Sequence, residues 1–173
     1  MVTLEPLSRG LATILKTIRL RALQDMPSAF GGTYENESQF SLEDWVGRTV
    51  AWNSGGTSVC YIAMDGHIPC GIIGGFLDQR FLKERNPPRP TVGSMWVAPE
   101  HRSAGLGTRL MNEVERWARG LETGELWLMV TSGNEPAIRF YRRFGFEFTG
   151  ATEPYKNDPA LFQHEMVKVL RNA

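Results

Sequence analysis

Val97-Ala98-Pro99-Glu100-His101-Arg102-Ser103-Ala104-Gly105-Leu106-Gly107-Thr108 decides how this chain is read, because it runs from a strand pattern straight into the clearest helix pattern of the sequence. Behind it, Leu106, Leu110, Met111, Val114, Trp117 and Leu121 form an apolar stripe, with Arg109, Asn112, Glu113, Arg116 and Arg119 on the other face. Ahead of it, Thr91 to Val97 reads as a strand that Pro99 ends. Two glycines at the mouth of a helix let a ligand come close to the backbone, while the unsatisfied first-turn amides and the helix dipole favour an anion. A phosphate group fits that chemistry, although an ordinary tight strand-to-helix turn has the same spacing. The Walker loop needs Gly-Lys-Ser/Thr and the dinucleotide fingerprint needs G-x-G-x-x-G. Neither string occurs.

Outward from this stretch the patterns alternate, and the chain reads as mixed α/β. Val2 to Leu7 is a short strand, and Leu11, Ile14, Leu15, Ile18, Ala22 and Leu23 recur at helical spacing behind Ser8 as N-cap, with an end expected by Pro27. Ser41 with Asp44 three residues on predicts a capped second helix carrying Leu42, Trp45 and Val46. Ser58 to Met64 and Cys70 to Leu77 flank Asp65-Gly66 as a hairpin, and Gln79 to Pro90 reads as an exposed loop. Glu125 to Val130 is a strand. Asn134 and Pro136 open a helix bearing Ala137, Phe140, Tyr141 and Phe144, which Gly145 ends. Phe146, Phe148 and the segment Ala160 to Leu170 supply the last two strands, with a loop expected from Gly150 to Pro159.

Length and composition bound the function. At 173 residues the chain matches one domain, residues 1–173. Nineteen basic residues balance nineteen acidic ones, so no global field draws it to nucleic acid or an anionic membrane. A local basic cluster of Arg80, Lys83, Arg85 and Arg89 against Glu84 reads first as a solvated loop, and steeply salt-dependent nucleic-acid binding is its functional alternative. The start of the chain lacks the apolar core of a signal peptide, no apolar run has the length of a membrane span, and a cytoplasmic protein is expected. Cys60 and Cys70 sit in apolar stretches and read as buried thiols, while His67, His101 and His164 show no metal-ligand spacing.

Two blocks together resemble the GNAT superfamily of acetyl-coenzyme A dependent N-acetyltransferases. Arg102, Gly105 and Gly107 meet its R/Q-x-x-G-x-G/A pattern behind Met95-Trp96-Val97, and Asn134 to Phe146 is similar to its N-x-x-A-x-x-F-Y-x-x-x-G-F run. The resemblance implies a mostly antiparallel central sheet, flanked by helices, with two parallel strands ending near Val97 and Val130 splayed at the cofactor site. It further implies that Met95, Trp96 and Val97 hold the pantetheine arm of acetyl-CoA, that Arg102, Ser103, Ala104, Gly105, Leu106, Gly107 and Thr108 surround the pyrophosphate, and that Asn134 touches the arm. The Val97 amide would stabilise the oxyanion, and Tyr141 would donate a proton to the departing thiolate. No metal is implied.

The expected activity is acetyl transfer to a primary amine of a small molecule, antibiotic or short peptide. A non-catalytic acyl-CoA binding or sensing module and a protein N-terminal acetyltransferase are the alternatives. Relatives that acetylate ribosomal proteins often carry an acidic residue where this chain has Met129, and Thr91, Gly93 and Ser94 bring no carboxylate. Glu35, Glu37 and Asp78 remain as general-base candidates, directly or through water. Phe30, Tyr34 and Tyr155 are expected to wall the acceptor, with Glu35 or Asp158 attracting a cationic amine. A homodimer is left open.

Overall fold

A computed structural model describes residues 1–53, 56–81 and 88–171. Its frame is a seven-stranded sheet ordered β1-β2-β3-β4-β5-β7-β6. The strands are β1 (Val2–Pro6), β2 (Ser58–Asp65), β3 (Ile68–Asp78), β4 (Arg89–Val97), β5 (Glu125–Thr131), β6 (Glu147–Pro154) and β7 (Phe162–Val169). Every neighbouring pair is antiparallel except β4 and β5. That parallel pair holds register only at Thr91 opposite Trp127 and Val92 opposite Leu128, although both strands run further. They part beyond Val92.

Among the described residues five α-helices flank the sheet: α1 (Ala12–Asp25), α2 (Tyr34–Glu37), α3 (Leu42–Trp52), α4 (Leu106–Gly120) and α5 (Glu135–Phe144). The α4 stripe buries Leu110, Met111, Val114 and Ala118 completely, and α1 buries Ile18, Ala22 and Leu23. Full burial of the leucine, isoleucine, valine and methionine side chains among them stabilises by about 1.5–3 kcal/mol each. Two adjacent glycines in β3 let aromatic rings from opposite faces approach the strand. A Cβ on Gly74 would lie 2.4 Å from the Trp52 ring of α3, and one on Gly75 would lie 2.8 Å from the Trp117 ring of α4.

Local signals and structure agree at the second helix, where the Ser41 side chain accepts from the Asp44 amide and the Asp44 carboxylate accepts from the Ser41 amide, a complete capping box. They differ elsewhere. Ser8 makes no side-chain cap: a 3-10 turn over Arg9–Leu11 precedes α1, and the Ser8 carbonyl accepts from Leu11 instead. Pro90 is buried in β4 rather than placed in a loop, and β6 continues through Gly150 to Pro154, every residue of it exposed. An edge strand with no buried side chain carries none of the alternation that marks a strand in sequence. Of the basic cluster, Lys83 and Arg85 lie outside the described residues, while Arg80 pairs with Asp78 and Glu153, and Arg89 with Glu165. Both cysteines are buried free thiols. No described helix is long and apolar enough to cross a membrane, and no three His, Cys, Asp or Glu residues cluster for a metal among the described residues.

Candidate active site

Where β4 and β5 diverge, a cleft of about 810 Å³ opens between β4, the start of α4 and the helix α5. Met95, Trp96 and Val97 line it from β4, Arg102, Ser103, Gly105, Gly107 and Thr108 from the following turn, and Asn134, Phe140, Tyr141 and Arg143 from α5 and its cap. Its walls are mainly apolar, as small-molecule sites are.

The turn owes its shape to two residues with positive φ, Ser103 at 66° and Gly105 at 76°. Glycine meets no steric penalty there, whereas a serine in that region is uncommon and marks a held conformation. No backbone carbonyl among the described residues accepts from the amides of residues 103–108, and the first helical bond of α4 runs from the Arg109 amide to the Gly105 carbonyl. A row of unclaimed N–H groups at the positive end of a 15-residue helix is a fit for a phosphate chain. Gly107 completes the fit, since a Cβ there would stand 3.3 Å from both the Met95 methyl and the Phe140 ring. Ala104 is exposed and Leu106 buried in the core, so each would serve through its backbone alone.

Arg102 has a different place from the glycines. Its Nε donates to the Val97 carbonyl at 2.9 Å and its Nη2 to Asp25, whose carboxylate also accepts from the Trp96 indole at 2.8 Å. Burial raises the Asp25 pKa, but the Trp96 and Arg102 hydrogen bonds outweigh it and hold the carboxyl below its ordinary range. The end of α1, the end of β4 and the phosphate turn are thereby tied together.

Asn134 caps α5 by accepting from the Ala137 amide, which leaves its NH2 group free of that bond. Tyr141 lies two turns further along, on the buried face of α5, against Phe140 and Phe146. Its hydroxyl has no hydrogen-bond partner among the described residues, and burial pushes its pKa far above the usual phenol value. It stays protonated throughout the physiological range and can donate to charge that builds beside it. Arg143 and Phe140 are cleft residues that the sequence reading did not single out. The signal for Arg143 in the sequence is its place as the last of three basic residues in the α5 block.

A second cleft, of about 550 Å³, lies where Ser94 meets α1, α2, α3 and β3. Ser94 has φ 53°, at the irregularity that interrupts the β3–β4 register between Ile72 and Gly74. Glu37, 3% exposed, accepts from Arg19 Nε and Nη2 at 2.9 and 2.8 Å and from Arg48 Nη1 at 3.0 Å. Burial raises its pKa, yet the Arg19 hydrogen bond and the two positive charges bring it below the ordinary carboxylate value. Glu37 is thus committed to holding guanidinium groups. Among the other base candidates, Asp78 is clamped by Arg80, and Glu35 is exposed and lines neither cleft.

Of the three residues expected to wall the acceptor, Phe30 and Tyr155 meet through a hydrogen bond and Tyr34 stands apart from them. Phe30 lines the first cleft, and Tyr34 is exposed on α2. Tyr155 is buried, its hydroxyl donating to the Phe30 carbonyl at 2.7 Å and Asn157 donating to the Gly31 carbonyl at 3.2 Å. Those bonds latch the β6–β7 turn onto the α1–α2 turn. Asp158 stays within its own turn, its carboxylate accepting from the Ala160 amide.

A splayed parallel pair in the middle of a mostly antiparallel sheet, with an amide-lined turn beside the gap, is the architecture that the two motif blocks imply. The family model described as the acetyltransferase (GNAT) family matches residues 20–146, and the chain belongs to that family. Streptothricin acetyltransferase from Streptomyces lavendulae is 45% identical over 75 residues, 43% of this chain and 36% of that protein. The aligned stretch therefore spans about a third of that relative's length. The crystal structure of nourseothricin acetyltransferase is 32% identical with a TM-score of 0.58, covering 66% of each chain. PaiA N-acetyltransferase from Thermoplasma acidophilum, solved in complex with coenzyme A, has a TM-score of 0.73 over 98% of this chain and 99% of its own. At 16% identity that likeness shows the fold alone.

Proposed function

We propose that the chain transfers an acetyl group from acetyl-CoA to an amine, with the first cleft holding acetyl-CoA and the second admitting the acceptor. One observation carries this reading: consecutive residues of the splayed strand line the two clefts, Ser94 the second and Met95 the first. An amine entering one side reaches a thioester lying on the other through the gap between β4 and β5.

Acetyl-CoA supplies the acetyl group already activated as a thioester. The amides of residues 103–108 hold its pyrophosphate, and the edge of β4 from Met95 to Val97 receives the arm. The neutral amine forms the new C–N bond as the C–S bond breaks. The Val97 amide is the candidate donor to the transient oxyanion, and the Tyr141 hydroxyl is the candidate donor to the sulfur as negative charge builds there. The proton lost by the amine passes to water, because Glu37 and Asp78 are committed to arginines and Glu35 stands outside both clefts. Atoms balance as amine plus acetyl-CoA giving amide plus free coenzyme A thiol.

Thiol release during incubation with amino acids, aminoglycosides, polyamines and peptides with free N-termini tests the reading. Turnover with at least one amine is expected. Tight acetyl-CoA binding with silence toward every acceptor would instead identify a binding or sensing module, and a preference for peptide N-termini would identify a protein acetyltransferase.

A further inference from the structure

We infer that the acceptor amine carries an oxyanion, a carboxylate or phosphonate, read in the second cleft by Arg19, Arg48 and Lys156. The inference rests on the acetyltransferase reading above and names the substrate class of that same site. Three cations, Arg19, Arg48 and Lys156, line the cleft against the single carboxylate of Glu37, a local balance of 3 − 1 = +2. Its other walls include Leu15, Trp52, Ile72 and Phe76. Arg19 is buried against Glu37, while Arg48 is part-exposed and Lys156 exposed, so the excess positive charge stands at the mouth of an apolar-walled cleft, where it favours an anion.

The donors for that anion are present. A guanidinium has five N–H groups in a rigid fork suited to carboxylate or phosphonate oxygens. Arg19 commits Nε and Nη2 to Glu37, and its Nη1 makes only a 3.5 Å contact with Ser94 Oγ. Arg48 gives one Nη1 bond to Glu37, and its guanidinium lies 4.6 Å from the Phe40 ring centre and 5.2 Å from that of Trp45. Glu37 and the two rings hold both forks in place before a ligand arrives, which spares that ordering cost on binding. Lys156 has no ion pair among the described residues and reaches over Gly31, on the turn that Tyr155 and Asn157 latch down.

Ser94 orients the occupant, because its end of the cleft faces the splay where the amine must emerge. The anion then lies toward the arginines and Lys156, and the apolar walls take a side chain. A volume of about 550 Å³ suits a molecule of amino-acid size. A polyamine would bring further positive charge to a cleft that already has an excess.

The test compares glycine, valine and phenylalanine with their own amides, with the aminophosphonate analogue of each, and with spermidine, by thiol release at saturating acetyl-CoA. At least tenfold higher kcat/KM for the carboxylates or phosphonates than for the matching amides is expected, and the two anion arms tell which oxyanion is preferred. Lys156→Met, which breaks no hydrogen bond or ion pair among the described residues, and Arg48→Gln should each move the anion-to-amide ratio severalfold toward one. Turnover of amides or spermidine equal to or above that of the anionic amines overturns the inference and leaves the acetyltransferase reading standing. If no amine releases thiol, the acetyltransferase reading falls. Calorimetric titration of the three amino acids into the coenzyme A complex then decides the anion site, and absent binding overturns it too.

Discussion

Tyr141 in the first cleft and Glu37 in the second are held in opposite protonation states. Burial keeps the Tyr141 phenol neutral, so the role proposed for it is that of a hydrogen-bond or proton donor. Tyr141→Phe retains the ring packing against Phe140 and Phe146 and removes only the donor. kcat should fall by about 10² or more, about 2.7 kcal/mol at the transition state, with acetyl-CoA affinity and melting temperature close to those of the parent. Steady-state rates beside a thermal melt check this, and unchanged turnover would remove Tyr141 from the chemistry. Glu37 must instead be charged. Its folded pKa lies below its ordinary value, so its stabilisation is fully present above the unfolded pKa and is lost as the pH falls through the folded one. Glu37→Gln strands two arginines and should cost about 3 kcal/mol in urea unfolding at pH 7, with the penalty shrinking toward pH 3.

At the scale of elements, the glycines separate binding from folding. Gly107→Ala improves the helical propensity of α4 by about 1 kcal/mol while its methyl group presses on Met95 and Phe140, both cleft residues. Stability should change little, and acetyl-CoA binding measured by calorimetry should weaken by about tenfold or more, about 1.4 kcal/mol. Gly74→Ala does the reverse. Its methyl would sit 2.4 Å from the Trp52 ring, so overpacking should cost about 1–3 kcal/mol in denaturant unfolding. Elements whose signal is local were legible: the Ser41–Asp44 box, the α4 stripe and the Asn134 cap each depend on residues within a few positions. The Arg19–Glu37–Arg48 cluster was not. Its members come from α1, α2 and α3, each is one charged residue in a mixed segment, and only the fold makes them neighbours. Tyr155 misled for a related reason, since an aromatic in a polar turn looks like a binding residue until its hydroxyl is seen to secure the Phe30 carbonyl.

For the whole molecule, a ligand that spans the first cleft touches both sides of the splay, β4 and α4 on one and α5 on the other. Ligand binding to the folded state alone stabilises it by about 2.7 kcal/mol at a hundred times Kd, which for a chain of this size raises the melting temperature by about 5–10 °C. Scanning calorimetry with coenzyme A checks this, and the shift should disappear when the ligand lacks its phosphates.

The β4–β5 seam, with two rungs of register between strands that both continue past them, is where the backbone of the sheet is least bonded. Beyond Leu128, the amides of β5 that point toward β7 keep their ladder, while those that point toward β4 have no strand to bond. Alternate residues of one strand should therefore exchange with deuterated water at very different rates, a comb of slow and fast positions from Met129 to Thr131. Residue-resolved exchange would display the comb directly. A pantetheine arm laid along Met95 to Val97 should slow exchange on β4 without closing the fast teeth of β5, because the arm borders one strand and fills the gap without pairing with both.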